Sequence, residues 1–245
     1  MAFFDKYNHF LETSMVGNWP ARLNARYEAI INANKPLFEG ARVLDLASHD
    51  GRWSFAALDA GAASVVGVEV RPEMVTNANQ NMSELGISPD RYQFVAGDLF
   101  EHKEIFQHKF DLVLCLGLFY HTARHVELLK LIHSTNTPTI IIDTAIVPLN
   151  GNFSYISAEP ADKASNGNDD LGVINNKILI AVPTVGALVF MLQHFGYTVQ
   201  QIDWDKLIKQ LAITTHKDQP LTAQNPVGDY YLKRRGTFIA TLNTI

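Results

Sequence analysis

Short, almost uninterrupted apolar runs alternate with longer stretches in which apolar residues recur every three or four positions. The first kind reads as strands buried on both faces, the second as helices with one face against a core. Residues 41–46, 65–70, 91–96, 110–116 and 139–144 predict five strands. Helices are expected at about 20–36, with Leu23, Tyr27, Ile30 and Ile31 on one face, and at 52–60, 72–85 and 123–134. Gly61 and Gly86 follow two of these helices, and Pro72 opens one where its missing donor costs nothing. This alternation predicts an α/β fold: a doubly wound, mostly parallel sheet with right-handed crossovers.

The rhythm breaks between residues 148 and 172, a segment rich in Asn, Ser, Asp, Gly and Pro that predicts a lid-like loop. Beyond it, 173–181 reads as strand and 183–194 as helix ending before Gly196. Residues 197–202 read as strand, 218–228 as loop and 236–242 as a closing strand. The expected organisation is an N-terminal helical cap over residues 1–36 and one α/β domain over 37–245, without repeats.

Composition narrows the classes. The 245 residues are 47% apolar, enough for a sizeable core and too much for a disordered chain. A net charge of −5 speaks against a nucleic-acid partner, whose phosphates need a basic face. No stretch reaches the roughly 18–20 apolar residues of a membrane span, and Asp5, Lys6, His9 and Glu12 interrupt any signal-peptide core. The single cysteine, Cys115, excludes an internal disulfide and fits a reducing compartment. The expectation is a cytoplasmic protein that acts on a small molecule.

Three strand ends carry the candidate chemistry. The first runs Asp45-Leu46-Ala47-Ser48-His49-Asp50-Gly51, the second ends at Glu69 with Arg71 close behind, and the third ends at Gly97-Asp98-Leu99. In an open parallel sheet these ends converge on one crevice, where a ligand binds. A carboxylate at the second end suits the paired hydroxyls of a ribose. The first turn lacks the glycine spacing that admits a pyrophosphate. The ligand therefore reads as a nucleoside with a compact charged tail, and the amides after Ser48 and His49, opening a helix, suit a carboxylate on that tail.

Taken in order, these motifs resemble class I S-adenosylmethionine-dependent methyltransferases, over about residue 41 to the C-terminus. The resemblance implies S-adenosyl-L-methionine as cofactor. It implies that Asp45 or its neighbouring backbone receives the ammonium, Glu69 holds the ribose, and Asp98 faces the adenine amino group. Ala47 and His49 stand where the family commonly has glycine. Leu99 can wall the adenine, and Phe110 to Gly117 resembles the fourth strand, whose end at Leu116 and Gly117 lines the methyl-transfer pocket. The strand at 236–242 resembles the family's antiparallel seventh strand, inserted between fifth and sixth. A nicotinamide-dependent dehydrogenase shares the Gly51 to Glu69 spacing but not that closing strand.

His121, just past the fourth strand, is the candidate general base, with Tyr120 beside it to orient the acceptor. The alternative is that both merely begin the next helix. His121 and His125 have a metal-ligand spacing but no third ligand nearby, so no metal is expected. Trp19, Arg22, Arg26 and Tyr27 precede the first strand, where N-terminal helices of this fold shape the acceptor site. Arg22 and Arg26 lie four apart, suited to an anion or to a solvated helix face. A thinner resemblance, in Asp143-Thr144 and the run around Pro183, points to enzymes that alkylate the wobble uridine of transfer RNA. Methylation of O or N on a small molecule such as a secondary metabolite is the first reading and transfer RNA modification the second. A non-catalytic cofactor-binding protein is the alternative of another class.

Overall fold

The computed structural model describes residues 1–14, 19–161, 173–213 and 225–243. It opens with α1 (His9–Glu12) and α2 (Pro20–Ile30), then a 3-10 segment at Asn32–Leu37. The helix expected over 20–36 thus stops at Ile30; Pro36 cannot donate within a continuing α-helix, and the tighter turn takes over. Phe4 and Phe10 are fully buried among Leu23, Ile30, Trp53 and Phe55. Burying each ring stabilises by about 1.5–3 kcal/mol. The cap expected over residues 1–36 therefore shares the core of the sheet's first face.

The main sheet is built from β1 (Arg42–Leu46), β2 (Ser64–Glu69), β3 (Tyr92–Ala96), β4 (Leu112–Leu116) and β5 (Thr139–Ala145), all parallel. Helices α3 (Arg52–Asp59), α4 (Pro72–Glu84) and α5 (His125–Ser134) connect them. β6 (Ser154–Pro160) and β7 (Lys177–Pro183) form a separate antiparallel ribbon. The chain continues through α6 (Val185–His194), β8 (Tyr197–Gln201), α7 (Trp204–Gln210), α8 (Gly228–Tyr231) and β9 (Arg235–Leu242). Strand order is β3-β2-β1-β4-β5-β9-β8, with β9 antiparallel to both neighbours. This is the seven-stranded, mostly parallel sheet expected, its closing strand inserted where the resemblance places it.

One core lies between the sheet and α2, α3, α7 and α8; the other packs α5 and α6 on the opposite face. Leu44, Leu46 and Val113 of the second core are wholly buried in β1 and β4, which explains their apolar runs.

Two regions differ from expectation. Within the loop expected at 148–172, residues 154–160 are a strand; residues 162–172 lie outside the described residues. β6 hid because the strand itself has little burial on either face: Tyr155 and Ile156 are both exposed, so no two-residue periodicity survives. The strand expected at 173–181 runs at 177–183, in the ribbon and not in the main sheet. Helix α7 was not anticipated. Its signal was present: Asp203 caps it, accepting from the Lys206 amide at 3.0 Å, and Trp204 and Ile208 are buried four apart.

Candidate active site

A cavity of about 260 Å³ opens beyond the carboxyl ends of β1, β2, β3 and β4. Its first wall comes from the turn after β1. There Ala47 and His49 have φ of 56° and 54°, the left-handed region in which a side chain is costly by roughly 1–2 kcal/mol. That explains why glycine is common at these positions in the resembled family. The turn is held from behind. Arg52 forks onto Asp50 at 2.7 Å through both Nε and Nη2, and His49 Nδ1 lies 3.2 Å from Asp50. Thr13 Oγ1 donates to Asp50 at 2.8 Å, tying the N-terminal segment to the turn. Burial opposes ionisation of Asp50, but Arg52 and His49 overcome it and hold its carboxyl well below the usual range.

Glu69 ends β2 with only 2% of its surface exposed. Its Oε1 accepts from the Arg71 amide and Nε, at 3.1 and 2.7 Å. Its Oε2 accepts from the His49 amide at 2.9 Å. That amide, expected to meet a ligand carboxylate, is thus engaged by Glu69. Ser48 donates its amide to Val68 at 3.0 Å. The third strand end supplies Gly97, Asp98, Leu99 and Phe100 to the wall. Asp98 turns back to accept from the Phe100 amide at 2.8 Å, which fixes the loop.

The opposite wall is assembled from distant parts of the chain. Leu116 and Gly117 bring β4 to it, and the 3-10 turn Phe119–His121 adds Tyr120 and His121, whose rings lie 4.0 Å apart. Gly117 has φ of 100°, a turn that favours glycine, and it lets the strand end pass close to Arg235. Arg22 and Arg26 of α2, Trp53 of α3, Ile178 of β7 and Arg235 of β9 complete the wall. Behind it sits Asp143 of β5, fully buried. Arg26 and Arg235 donate to its Oδ1, and Tyr230 and Thr237 hydroxyls donate to its Oδ2. Burial works against the charge, yet the two guanidiniums keep this carboxyl ionised far below its ordinary range.

Of the residues expected at the site, Ala47, His49, Glu69, Arg71, Asp98, Leu99, Leu116, Gly117, Tyr120, His121, Arg22 and Arg26 line the cavity. Asp45, Ser48, Gly51, Trp19 and Tyr27 are not among its lining residues. Asp45 faces inward, accepting from Ser54 Oγ at 2.7 Å, and burial pushes its carboxyl up to about 7. Gly51 packs near Phe94, Ala78 and Met82, and Tyr27 stacks on Phe3 at 4.0 Å. Trp53 and Arg52, read from sequence as helix positions, line the cavity as well. Asp143, Tyr230, Arg235 and Thr237 were not singled out as a site. An aspartate in the apolar run of β5 was the one available signal, because a buried charge requires partners. Burial lowers the pKa of His125, and its Nε2 contacts the Phe119 carbonyl at 2.9 Å; among the described residues no group of three or more His, Cys, Asp or Glu could hold a metal ion.

A family model described as a methyltransferase domain matches residues 37–177, more than half of the chain. The chain belongs to that family. Among curated relatives, this methyltransferase is 23% identical over 154 residues to a tRNA U34 carboxymethyltransferase of Campylobacter curvus, covering 61% of the chain and 46% of the relative. It is 37% identical over 87 residues to a putative ribosomal RNA large subunit methyltransferase of Methanocaldococcus jannaschii, covering 34% and 22%. These matches span less than half the length of either relative. Among solved structures, the N-terminal domain of EvdMO1, crystallised in the presence of SAH and D-fucose, superposes with a TM-score of 0.59 at 19% identity, covering 91% and 82% of the two chains. Magnesium protoporphyrin IX methyltransferase from Synechocystis PCC 6803, with bound SAM, gives 0.59 at 14% identity, covering 98% and 91%. These likenesses establish the methyltransferase fold. Among the described residues no helix is long and apolar enough to cross a membrane.

Proposed function

We propose that this methyltransferase uses S-adenosylmethionine to place a methyl group on an oxygen or nitrogen of a small-molecule acceptor. The observation that carries the reading is the pair of carboxylates, Glu69 and Asp98, ending adjacent strands on one wall of the cavity. Their spacing along the sheet suits a ribose followed by an adenine. Glu69 fits that role. A carboxylate has about four acceptor positions, and among the described residues three donors occupy Glu69, leaving Oε2 capacity for a ribose hydroxyl. Buried His49 Nε2 has no partner among the described residues and lies on the same wall, a polar atom that a ligand can satisfy.

The cofactor supplies, when bound, an activated methyl group. The chain's own part is to hold the acceptor in line, to keep water away, and to take up a proton where the acceptor carries one. Leu116, Trp53 and Ile178 give the cavity apolar surface that excludes water. In this reading His121 accepts the acceptor's proton on its ring and Tyr120 orients the nucleophile beside it, as both line the cavity with their rings 4.0 Å apart.

A second reading, transfer RNA as acceptor, is favoured by the relatives named as tRNA U34 carboxymethyltransferases, two of which match 61% and 64% of the chain. The decisive experiment is calorimetry with SAH and NAD, followed by labelled methyl transfer to a panel of small phenols, carboxylates and amines and to unmodified transfer RNA. SAH binding, label in a small acceptor, and a loss of about a hundredfold in turnover with intact SAH affinity in His121→Ala are expected. NAD bound more tightly than SAH sinks the reading, and label in transfer RNA alone transfers it to the second.

A further inference from the structure

The ion pairs on the two walls of the cavity differ in stoichiometry. On the first, Glu69 pairs with Arg71 and Asp50 with Arg52, one cation to one anion. On the second, Arg22 is matched by Asp229 through two bonds of 2.8 Å. Arg26 and Arg235, however, share the single carboxylate of Asp143, at 3.0 and 2.6 Å from the same oxygen. The other carboxylate oxygen is taken by Tyr230 and Thr237, both neutral donors, since burial and Asp143 push the Tyr230 hydroxyl far upward. Among the described residues one positive charge is therefore left over.

It is also poorly hydrated. The Arg26 and Arg235 side chains are 13% and 9% exposed, and Arg26 Nε is buried without a partner among the described residues. Both line the cavity. Arg235 lies 5.4 Å over the Tyr120 ring, beside Gly117 and so next to the candidate base. A desolvated guanidinium with unused donors is unfavourable until an anion meets it, and its planar fork matches a carboxylate or phosphate.

We propose that Arg26 and Arg235 bind a carboxylate-sized anionic group of the acceptor, so that the substrate class is small organic anions whose reacting atom lies near Tyr120 and His121. This rests on the methyltransferase reading. The same chemistry is carried by the carboxylate at the cofactor's amino-acid end, and saturating the protein with SAH separates the two sources.

The probes are benzoate and inorganic phosphate, with uncharged benzamide as control, titrated calorimetrically into SAH-saturated and ligand-free protein. Benzoate or phosphate is expected to bind the SAH-saturated protein at least tenfold more tightly than benzamide binds. Arg26→Gln is expected to weaken that anion tenfold or more, Arg26→Lys to restore part of it, and SAH affinity to stay within about threefold of wild type in both. Arg26→Gln leaves Asp143 matched one-to-one by Arg235, so the variant keeps its fold, and its melting temperature checks this. Two results overturn the proposal: no anion binding to SAH-saturated protein, or a tenfold loss of SAH affinity in Arg26→Gln, which assigns the arginines to the cofactor. If the wild type binds no SAH, the methyltransferase reading falls instead. The titration of ligand-free protein then decides the arginine site alone: Arg26-dependent anion binding upholds it and its absence overturns it.

Discussion

Asp45 and Asp143 stand near the carboxyl ends of β1 and β5, both all but inaccessible to water, yet they meet opposite surroundings. Asp45 has a serine hydroxyl for a partner and lies near Glu69 and Asp50, so burial pushes it up to about 7. Asp143 has two guanidiniums and two hydroxyls, which overcome the same burial and keep it charged. The contrast runs through the whole cavity. The β1–β3 wall is made of short contiguous stretches whose acids and bases pair within a few residues. The β4–β9 wall is made of bonds such as Arg26 to Asp143 and Arg235 to Asp143, 117 and 92 residues apart. Local pairing gives Glu69 and Asp50 one cation each; long-range pairing lets one carboxylate carry two cations and leaves, among the described residues, a surplus that a ligand can use.

The comparison breaks most visibly at Asp143. Asp143→Ala leaves two buried guanidiniums without their common partner, and a loss of about 3–5 kcal/mol of stability is expected in urea unfolding. A loss below 1 kcal/mol would mean that solvent already reaches the arginines. Glu69→Ala tests the β1–β3 wall. Losing a charge-assisted contact to the ribose costs about 1.5–3 kcal/mol, so SAH affinity should fall tenfold or more in a protein that still folds. Unchanged affinity would remove Glu69 from the ribose role.

The smallest effect sharpens the aspartate pair. The folded-state pKa of Asp45 is raised from 3.8 to about 7, so the folded state holds its proton longer than the unfolded chain does. Its contribution is fully present below about pH 4 and is lost as pH rises through 7. Asp143 is shifted the other way: its contribution is complete above 3.8 and is lost in stronger acid. Between pH 5 and 8 only the Asp45 part changes between these two. Wild-type stability should therefore fall on the order of 1–2 kcal/mol across that window. Asp45→Asn should flatten the slope in melting curves taken at each pH, and an equal slope in both proteins would place the titration elsewhere.

The β1–β3 wall was legible because each strand end keeps its chemistry beside an apolar run: Asp45 to Gly51, Glu69 with Arg71, and Gly97 to Leu99. The buried parallel strands were legible from the same runs, since a strand buried on both faces must be nearly all apolar, and the place of the closing strand came from the resemblance. What was hidden has a common cause. Arg235 and Thr237 look like ordinary strand positions until β9 inserts beside β5, where Thr237 faces Asp143 in register. Tyr230 gives no hint that its hydroxyl reaches that carboxylate. Asp45 was misleading in the opposite sense. It stands in the motif, but its side chain faces Ser54 and not the cavity, because strand geometry sends neighbouring residues to opposite faces.

The late position of β9 has a consequence for how the protein is made. Synthesis proceeds from the N-terminus, so β1 to β5, with the strand ends that hold Glu69 and Asp98, are made before Arg235, which follows Asp143 by 92 residues. On the growing chain Asp143 is complete before its closest cation, at 2.6 Å, has been polymerised. The residues of the β1–β3 wall are thus all polymerised while the acceptor end still lacks its closing strand, so the chemical preference of the chamber is among the last features that synthesis supplies.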